Sequence, residues 1–317
     1  MVEKILLANP RGFCAGVERA IEIVEKALEL YGKPVYVRHQ IVHNDFVVKD
    51  LIGKGAVFVE KLSEIPKGSV VVLSAHGSDP KVREKAKDMG FTVIDAVCPL
   101  VTKVHLEAIK YDKKDYSQIL IGHAGHQEVI GTMGEAEMQL VENVGDVEKL
   151  KVEDGEKVVY HTQTTLSVDE ARDIIEALEK RFPKIIGPPR KDICYATTNR
   201  QKAVKEMALH ADLILVIGDR QSSNSNRLVE AGKICGVESY LISDKGELDE
   251  AWLEGKKIVG ISSGASVPDV LVRGVIDMIM HSYPLCKEEP VVVAKEKVVF
   301  SLPQEVVKKE VSVRVDS

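Results

Sequence analysis

The chain has 317 residues with 44% hydrophobic and 29% charged side chains and a formal net charge of -6, enough for two or three small domains with well-buried cores. The acidic balance argues against a nucleic-acid partner, which demands a basic face, and no stretch approaches the roughly 18 apolar residues of a membrane span. Five cysteines behind an amino terminus too short in apolar residues for an export signal fit free or metal-bound thiolates in a reducing compartment, so the cytoplasm is the expected location.

Ile5-Leu6-Leu7 reads as a strand, and after Cys14 the residues Val17, Ala20, Ile21, Val24, Ala27 and Leu28 recur on one face at helical spacing, with Gly32 and Pro34 as the stop. A strand at 34–37 leads past His43 into a second helix ending at Gly53 or Gly55. Residues 69–73 form a buried-strand pattern, Ser74-Ala75-His76-Gly77 a loop, and Asp79-Pro80 the cap and first residue of a helix reaching Met89-Gly90. A short strand at 92–94 precedes Asp95-Ala96-Val97-Cys98.

The same order of strand, polar loop and helix continues at 118–121, followed by the loop His123-Ala124-Gly125-His126-Gln127-Glu128, and at 158–160, followed by Thr162-Gln163-Thr164-Thr165. There Ser167-Val168-Asp169-Glu170 has the form of a capping box opening a helix to Leu178. Ile185-Ile186, with prolines around it, is expected as a short strand before Cys194. Strands at 213–217 and 258–261 precede Gln221-Ser222-Ser223-Asn224-Ser225-Asn226 and Ser262-Ser263-Gly264-Ala265-Ser266. Strands alternating with helices predict an α/β fold with parallel sheets.

Cys14, Cys98 and Cys194 each take the position between a strand and a helix, at near-equal intervals along the chain. That spacing suggests three similar α/β units around a shared centre: residues 1–97 with the amino-terminal strand, 98–192 and 193–284, followed by a carboxyl-terminal arm, 285–317, in which 291–293 and 298–300 alternate with Lys and Glu. In open α/β folds ligands bind at such loops, where helix amino termini offer free N–H groups. Any one free cysteine is commonly a buried, inert hydrophobe, the reading given to Cys235 and Cys286. The shared loop position of the other three favours a metal centre: zinc with a histidine from His43, His76, His123 or His126, or a four-iron cluster with one iron left open. The remaining loops supply hydroxyls, amides and imidazoles with few cations, a means of holding a phosphate or diphosphate on helix amino termini. Glu128, in a loop of small and apolar residues, is a solvated side chain, a first-turn charge or a proton carrier.

The ordered motifs around Cys14, His43, His76, Cys98, His126-Gln127-Glu128, Thr164, Cys194, Ser222-Ser223-Asn224 and Ser266 resemble the 4-hydroxy-3-methylbut-2-enyl diphosphate reductase family from residue 5 to about 275. The resemblance implies a trefoil of three α/β units around one 4Fe-4S cluster on Cys14, Cys98 and Cys194. It also implies the two-electron reductive dehydroxylation of an allylic diphosphate to isopentenyl and dimethylallyl diphosphate, the last step of the non-mevalonate isoprenoid route, with a ferredoxin or flavodoxin as electron donor. By motif, His43, His76, Ser222, Ser223, Asn224 and Ser266 would hold the diphosphate with His126 beside it, and Glu128 and Thr164 would relay a proton. Val97, Gln127 and Gln221 depart from the family pattern, which has Thr, Pro and Asn there. A zinc-stabilised phosphate-binding protein and an iron-sulfur hydro-lyase are the competing expectations.

Overall fold

The computed structural model describes residues 1–307. In chain order its elements are β1 (Lys4–Asn9), α1 (Ala15–Tyr31), β2 (Val35–Arg38), α2 (Asp45–Lys54), β3 (Ala56–Val59), β4 (Val70–Leu73), α3 (Pro80–Asp88), β5 (Thr92–Asp95) and α4 (Pro99–Asp112). Then come β6 (Ser117–Ile121), α5 (Gln127–Glu135), β7 (Met138–Val141), α6 (Val144–Val147), β8 (Val158–Thr162) and α7 (Val168–Arg181). The last part holds α8 (Tyr195–Ala208), β9 (Leu213–Ile217), α9 (Ser223–Ile234), β10 (Glu238–Ile242), β11 (Ile258–Ser263), α10 (Asp269–Ser282) and β12 (Lys287–Val292).

The local signals act as the residue chemistry dictates. Asp79 Oδ1 accepts the Lys81 N–H at 2.8 Å ahead of Pro80, and Gly32 closes α1 at φ +77°, where a Cβ would strain the backbone. Helix α1 starts at Ala15, with Cys14 as its N-cap, and buries Ala20, Ile23, Val24 and Ala27, while Val17, Ile21 and Leu28 pack at the edge of that core. Ser167 Oγ does accept the Glu170 N–H, but the Glu170 carboxylate turns to Arg227 at 3.0 Å, so only half of the expected box forms.

The strands make three sheets, ordered β10-β9-β11-β1-β12, β3-β2-β4-β5 and β7-β6-β8, and every pairing is parallel. Parallel sheets covered on both faces need apolar strands throughout. Accordingly Leu213-Ile214-Leu215-Val216-Ile217 and Val70-Val71-Val72-Leu73 are buried at every position.

Two expectations are corrected. Strand β1 lies not with β2–β5 but in the five-stranded sheet between β11 and β12, with Leu6 opposite Gly260 and Glu289. Hydrophobicity marks a strand as buried without naming its partner. Ile185-Ile186 is no strand: Ile186 makes a single bridge to Val159, because Pro183, Pro188 and Pro189 remove ladder donors. Pro290 is tolerated in β12 because that strand is the sheet edge.

The tail beyond β12 returns across the molecule. Arg200, fully buried on α8, donates to Gly12 O at 2.6 Å and to Ala196 O at 3.0 Å, and pairs with the Glu296 carboxylate at 3.1 Å. Arg19 Nε donates to Ser301 O while its Nη1 donates to Ala96 O and Val97 O. Two arginines thereby fasten the tail to the segments that carry Cys14 and Cys98. No described helix is long and apolar enough to cross a membrane.

Candidate active site

The carboxyl ends of the three sheets face one cavity of about 110 Å³, lined by Cys14, Cys98 and Cys194 together with His43, His76, His126, Glu128, Thr164, Ser222, Ser223, Asn224 and Ser266. Five of its lining residues are helix N-caps: Cys14 for α1, Cys98 for α4, His126 for α5, Cys194 for α8 and Ser222 for α9. No Lys or Arg is among the described lining residues. Positive potential therefore comes from helix amino termini, each equivalent to about half an elementary charge.

The backbone around the thiols repeats three times. Cys14 N–H donates to Ala265 O at 3.2 Å, Cys98 N–H to Ala75 O at 2.9 Å, and Cys194 N–H to Thr164 O at 3.0 Å. Each acceptor lies in the loop that leaves a strand, after β11, β4 and β8 respectively. Each of those loops also presents a polar residue to the cavity: Ser266, His76 and Thr164. This threefold repetition is invisible in the residue types. Ala15 N–H also donates to the Tyr195 hydroxyl at 3.3 Å, joining the first and third cysteine segments.

All three thiols are free. Burial pushes Cys98 up to about 12 and Cys194 to about 11, and each thiol also feels the charge of Cys14. Thr197 works against this at Cys194, placing its N–H 3.4 Å and its hydroxyl 3.2 Å from Sγ. Such a set is costly to ionise alone and is ionised outright when metal is bound. The room between the sulfurs is real: a Cβ added to Gly16 would stand 2.8 Å from Cys98 Sγ and 3.8 Å from Cys14 Sγ. An all-thiolate set with no competing ammonium fits an iron-sulfur centre. A closed structural zinc site would take a fourth protein ligand, and His43, His76 and His126 gather instead in a stack of their own.

In that stack His43 and His76 have ring centroids 4.2 Å apart, with His126 edge-on to both. Burial and mutual repulsion hold His126 down to about 4 and His76 well below the ordinary histidine range. His126 Nδ1 accepts the Glu128 N–H at 3.2 Å, so neutral His126 carries its proton on Nε2. Gln40 Nε2 donates to Asp45, leaving Oε1 to accept from His43 Nδ1 at 3.0 Å. His76 Nδ1 and both side-chain polar atoms of Asn224 are buried without a partner, an arrangement that costs free energy until something polar fills the cavity. Ser222 Oγ caps α9 at Ser225 N–H, Ser223 Oγ donates to Thr165 O at 3.2 Å, and Ser266 Oγ donates to His43 O at 2.9 Å. These serines anchor loops as well as facing the cavity.

Glu128 is in the first turn of α5, not in a loop, and is only 3% exposed. Burial lifts its pKa to about 7, against the pull of two donors: Thr164 N–H at 2.6 Å from Oε1 and Thr164 Oγ1 at 3.0 Å from Oε2. A carboxyl poised there is half protonated at neutral pH. Among the lining residues without a mark in the sequence are two aromatics, Tyr195 and Phe300. Phe300, in a tail beyond the last strand-loop-helix module, carries no local signal. Val97, Gln127 and Gln221 do not line the cavity.

Buried neutral imidazoles also set the acid limit of the fold. His105 and His161, 4% and 0% exposed, are held at about 4 by burial. Between an unfolded value near 6.5 and that level the unfolded chain binds more protons, so their contribution is present above about pH 6.5 and is lost as pH falls toward 4. Glu128 acts oppositely, its raised pKa favouring the folded state as pH drops below 7. The cavity histidines add to the first effect, and unfolding free energies from urea titrations at pH 7.5 and pH 5 are expected to show a net loss of several kcal/mol.

Residues 5–280 match the LytB protein family. The chain is 54% identical over 305 residues to a 4-hydroxy-3-methylbut-2-enyl diphosphate reductase of Neisseria meningitidis serogroup B, covering 95% of this chain and 94% of that one. It is 53% identical over 305 residues to the reductase of the same name from Streptomyces avermitilis, covering 95% and 90%. The solved structure of E-1-hydroxy-2-methyl-but-2-enyl-4-diphosphate reductase from Plasmodium falciparum superposes with a TM-score of 0.96 at 40% identity, over 99% of this chain and 100% of that one.

Proposed function

The chain belongs to the LytB family, and from that premise we propose that it is the reductase of the terminal step of the non-mevalonate isoprenoid route, removing the hydroxyl of 4-hydroxy-3-methylbut-2-enyl diphosphate with two electrons to give isopentenyl and dimethylallyl diphosphate. It is an oxidoreductase with the trefoil-like α/β architecture of that family and acts on a small allylic diphosphate with electrons from an external donor. To this we add one 4Fe-4S cluster on Cys14, Cys98 and Cys194, a ferredoxin or flavodoxin as donor, a cytoplasmic location, and units 1–97, 98–192 and 193–284 with an arm 285–317, of which 308–317 lie outside the described residues, β1 being lent to the sheet of the third unit.

Bound at the three thiolates, the cluster supplies electrons one at a time and Lewis acidity at an iron without a protein ligand. The protein's own residues do the rest. The unpartnered Asn224 amide, His76 Nδ1 and the amino terminus of α9 receive the diphosphate, with the Ser222 and Ser223 hydroxyls beside them. His126 offers its Nε2–H, and an anion draws protons onto His43 and His76 that burial otherwise keeps off. Glu128 holds the proton that leaves with the substrate hydroxyl as water. Thr164 Oγ1, hydrogen-bonded to Glu128 Oε2, passes it by accepting from the carboxyl and giving up its own.

The observation that carries this reading is the convergence on one cationless cavity of three thiols with a carboxyl held at about 7. Protein purified without oxygen is expected to hold about four irons and four sulfides per chain and to consume the diphosphate only when a reductant is added. A colourless zinc protein, or water elimination without reductant, would defeat it.

A further inference from the structure

Outside the cavity, Glu107 on α4, His161 on β8 and Asp192 in the segment before Cys194 come together, one ligand atom of each lying within 4.8 Å of the others. His161 and the Asp192 side chain are fully buried. His161 Nε2 lies 2.9 Å from Gln118 Oε1, and that amide is fixed in orientation because Gln118 Nε2 donates to Ala108 O at 3.1 Å. Nε2 therefore carries the proton, and neutral His161 keeps a bare lone pair on Nδ1, which no donor reaches. Glu107 Oε2 is likewise buried and unpartnered.

The nearby ammonium does not fill this gap. Lys103 Nζ donates to Arg190 O at 2.6 Å and to Asp192 Oδ1 at 3.0 Å, and stands 3.8 Å from Glu107 Oε1. It serves one side of the cluster and leaves His161 Nδ1 and Glu107 Oε2 unserved. An imidazole whose far N–H is held by a carbonyl oxygen, facing two carboxylates, has the donor set and the outer-sphere support of a divalent-cation site. Glu107 and Lys103 also line a surface groove with Thr102 and Leu106, which gives an ion a way in.

We infer that Glu107, His161 and Asp192 bind one divalent cation of the Zn²⁺ class, separate from the centre on the cysteines. Its place ties three segments that serve the cavity: α4, which begins after Cys98; β8, which runs into Thr164; and the prolyl loop that ends at Cys194. Asp192 Oδ2 already accepts the Thr162 N–H at 3.0 Å, so a cation on Asp192 steadies the turn that presents Thr164.

The test is equilibrium dialysis of the anaerobically purified, iron-loaded protein against Zn²⁺, with zinc and iron counted on the same sample. One zinc per chain is expected with the iron content unchanged. Glu107→Gln, on a partly exposed helix face, should weaken zinc binding tenfold or more, of the order seen when metal-supporting groups are removed. Lys103→Met, which removes a competing cation, should tighten it by about tenfold. Backbone amides at 161–165 and 190–193 should exchange more slowly with zinc present. No zinc retained, zinc gained only as iron is lost, or equal affinity in the wild type and both variants would overturn the assignment.

Discussion

Glu128→Gln is expected to lower turnover about 10²- to 10⁴-fold, the range associated with losing a positioned proton donor, while iron and sulfide per chain stay at the wild-type level. The amide keeps the shape of the side chain. Its Oε1 can still accept from Thr164 N–H, and its Nε2 can donate to Thr164 Oγ1, reversing the direction of the bond now made at 3.0 Å. What is lost is the acid. Above pH 7 the wild type buries a carboxylate at this position, so the variant should be as stable as the wild type or more so, and a misfolded site is not the cause of its silence. The residual rate should also lose the pH limb near 7 that this carboxyl imposes. Turnover within threefold of wild type, with the same metal content, would move the proton source to another group.

Cys98→Ala is expected to abolish turnover and to lower iron from about four per chain to below one. The metal-free and metal-bound forms of the protein respond differently. Without metal, Cys98 Sγ is a half-buried thiol at the cavity wall, held at about 12 by desolvation, and its removal costs no more than a slight enlargement of that cavity, roughly 1 kcal/mol. The backbone N–H that fixes this residue to Ala75 O is untouched. With metal, the wild type gains the whole free energy of binding as folding stability, and the variant gains little of it. Thermal unfolding should therefore find the two chains alike when both are stripped of metal and well apart when both are reconstituted. Equal stabilisation on reconstitution would take Cys98 out of the ligand set.

The strand-loop-helix order was legible because parallel α/β units write each element plainly: solid apolar runs such as 213–217, period-3.6 faces such as that of α1, and Gly, Pro, Asp and Ser at the boundaries. The site was legible through loop context, since all three cysteines precede helices and the polar loops between them are richer than capping alone demands. What could not be read were relations across distance. Nothing in Ile5-Leu6-Leu7 says that its neighbours are β11 and β12, and nothing in Glu296 announces a partnership with Arg200. The depth of Glu128 was equally hidden, because a first-turn acid and a buried acid look alike until the fold brings Thr164 over it. Ile185-Ile186 misled for the opposite reason: two β-branched residues suggest a strand, and the prolines around them forbid its ladder.

The placement of β1 between β11 and β12 has a consequence for how the molecule is born. The sheet of β2–β5 and the sheet of β6–β8 close over short stretches of chain, whereas β1 must wait for residues 258–292 before it has any neighbour. On the ribosome, where domains form as they emerge, α1 can pack on the sheet of β2–β5 early, while β1, on the other side of Cys14, stays unpaired. The Cys14 N–H, which donates to Ala265 O, is therefore fixed only after residue 265 has emerged, long after the N–H of Cys98 has found Ala75 O.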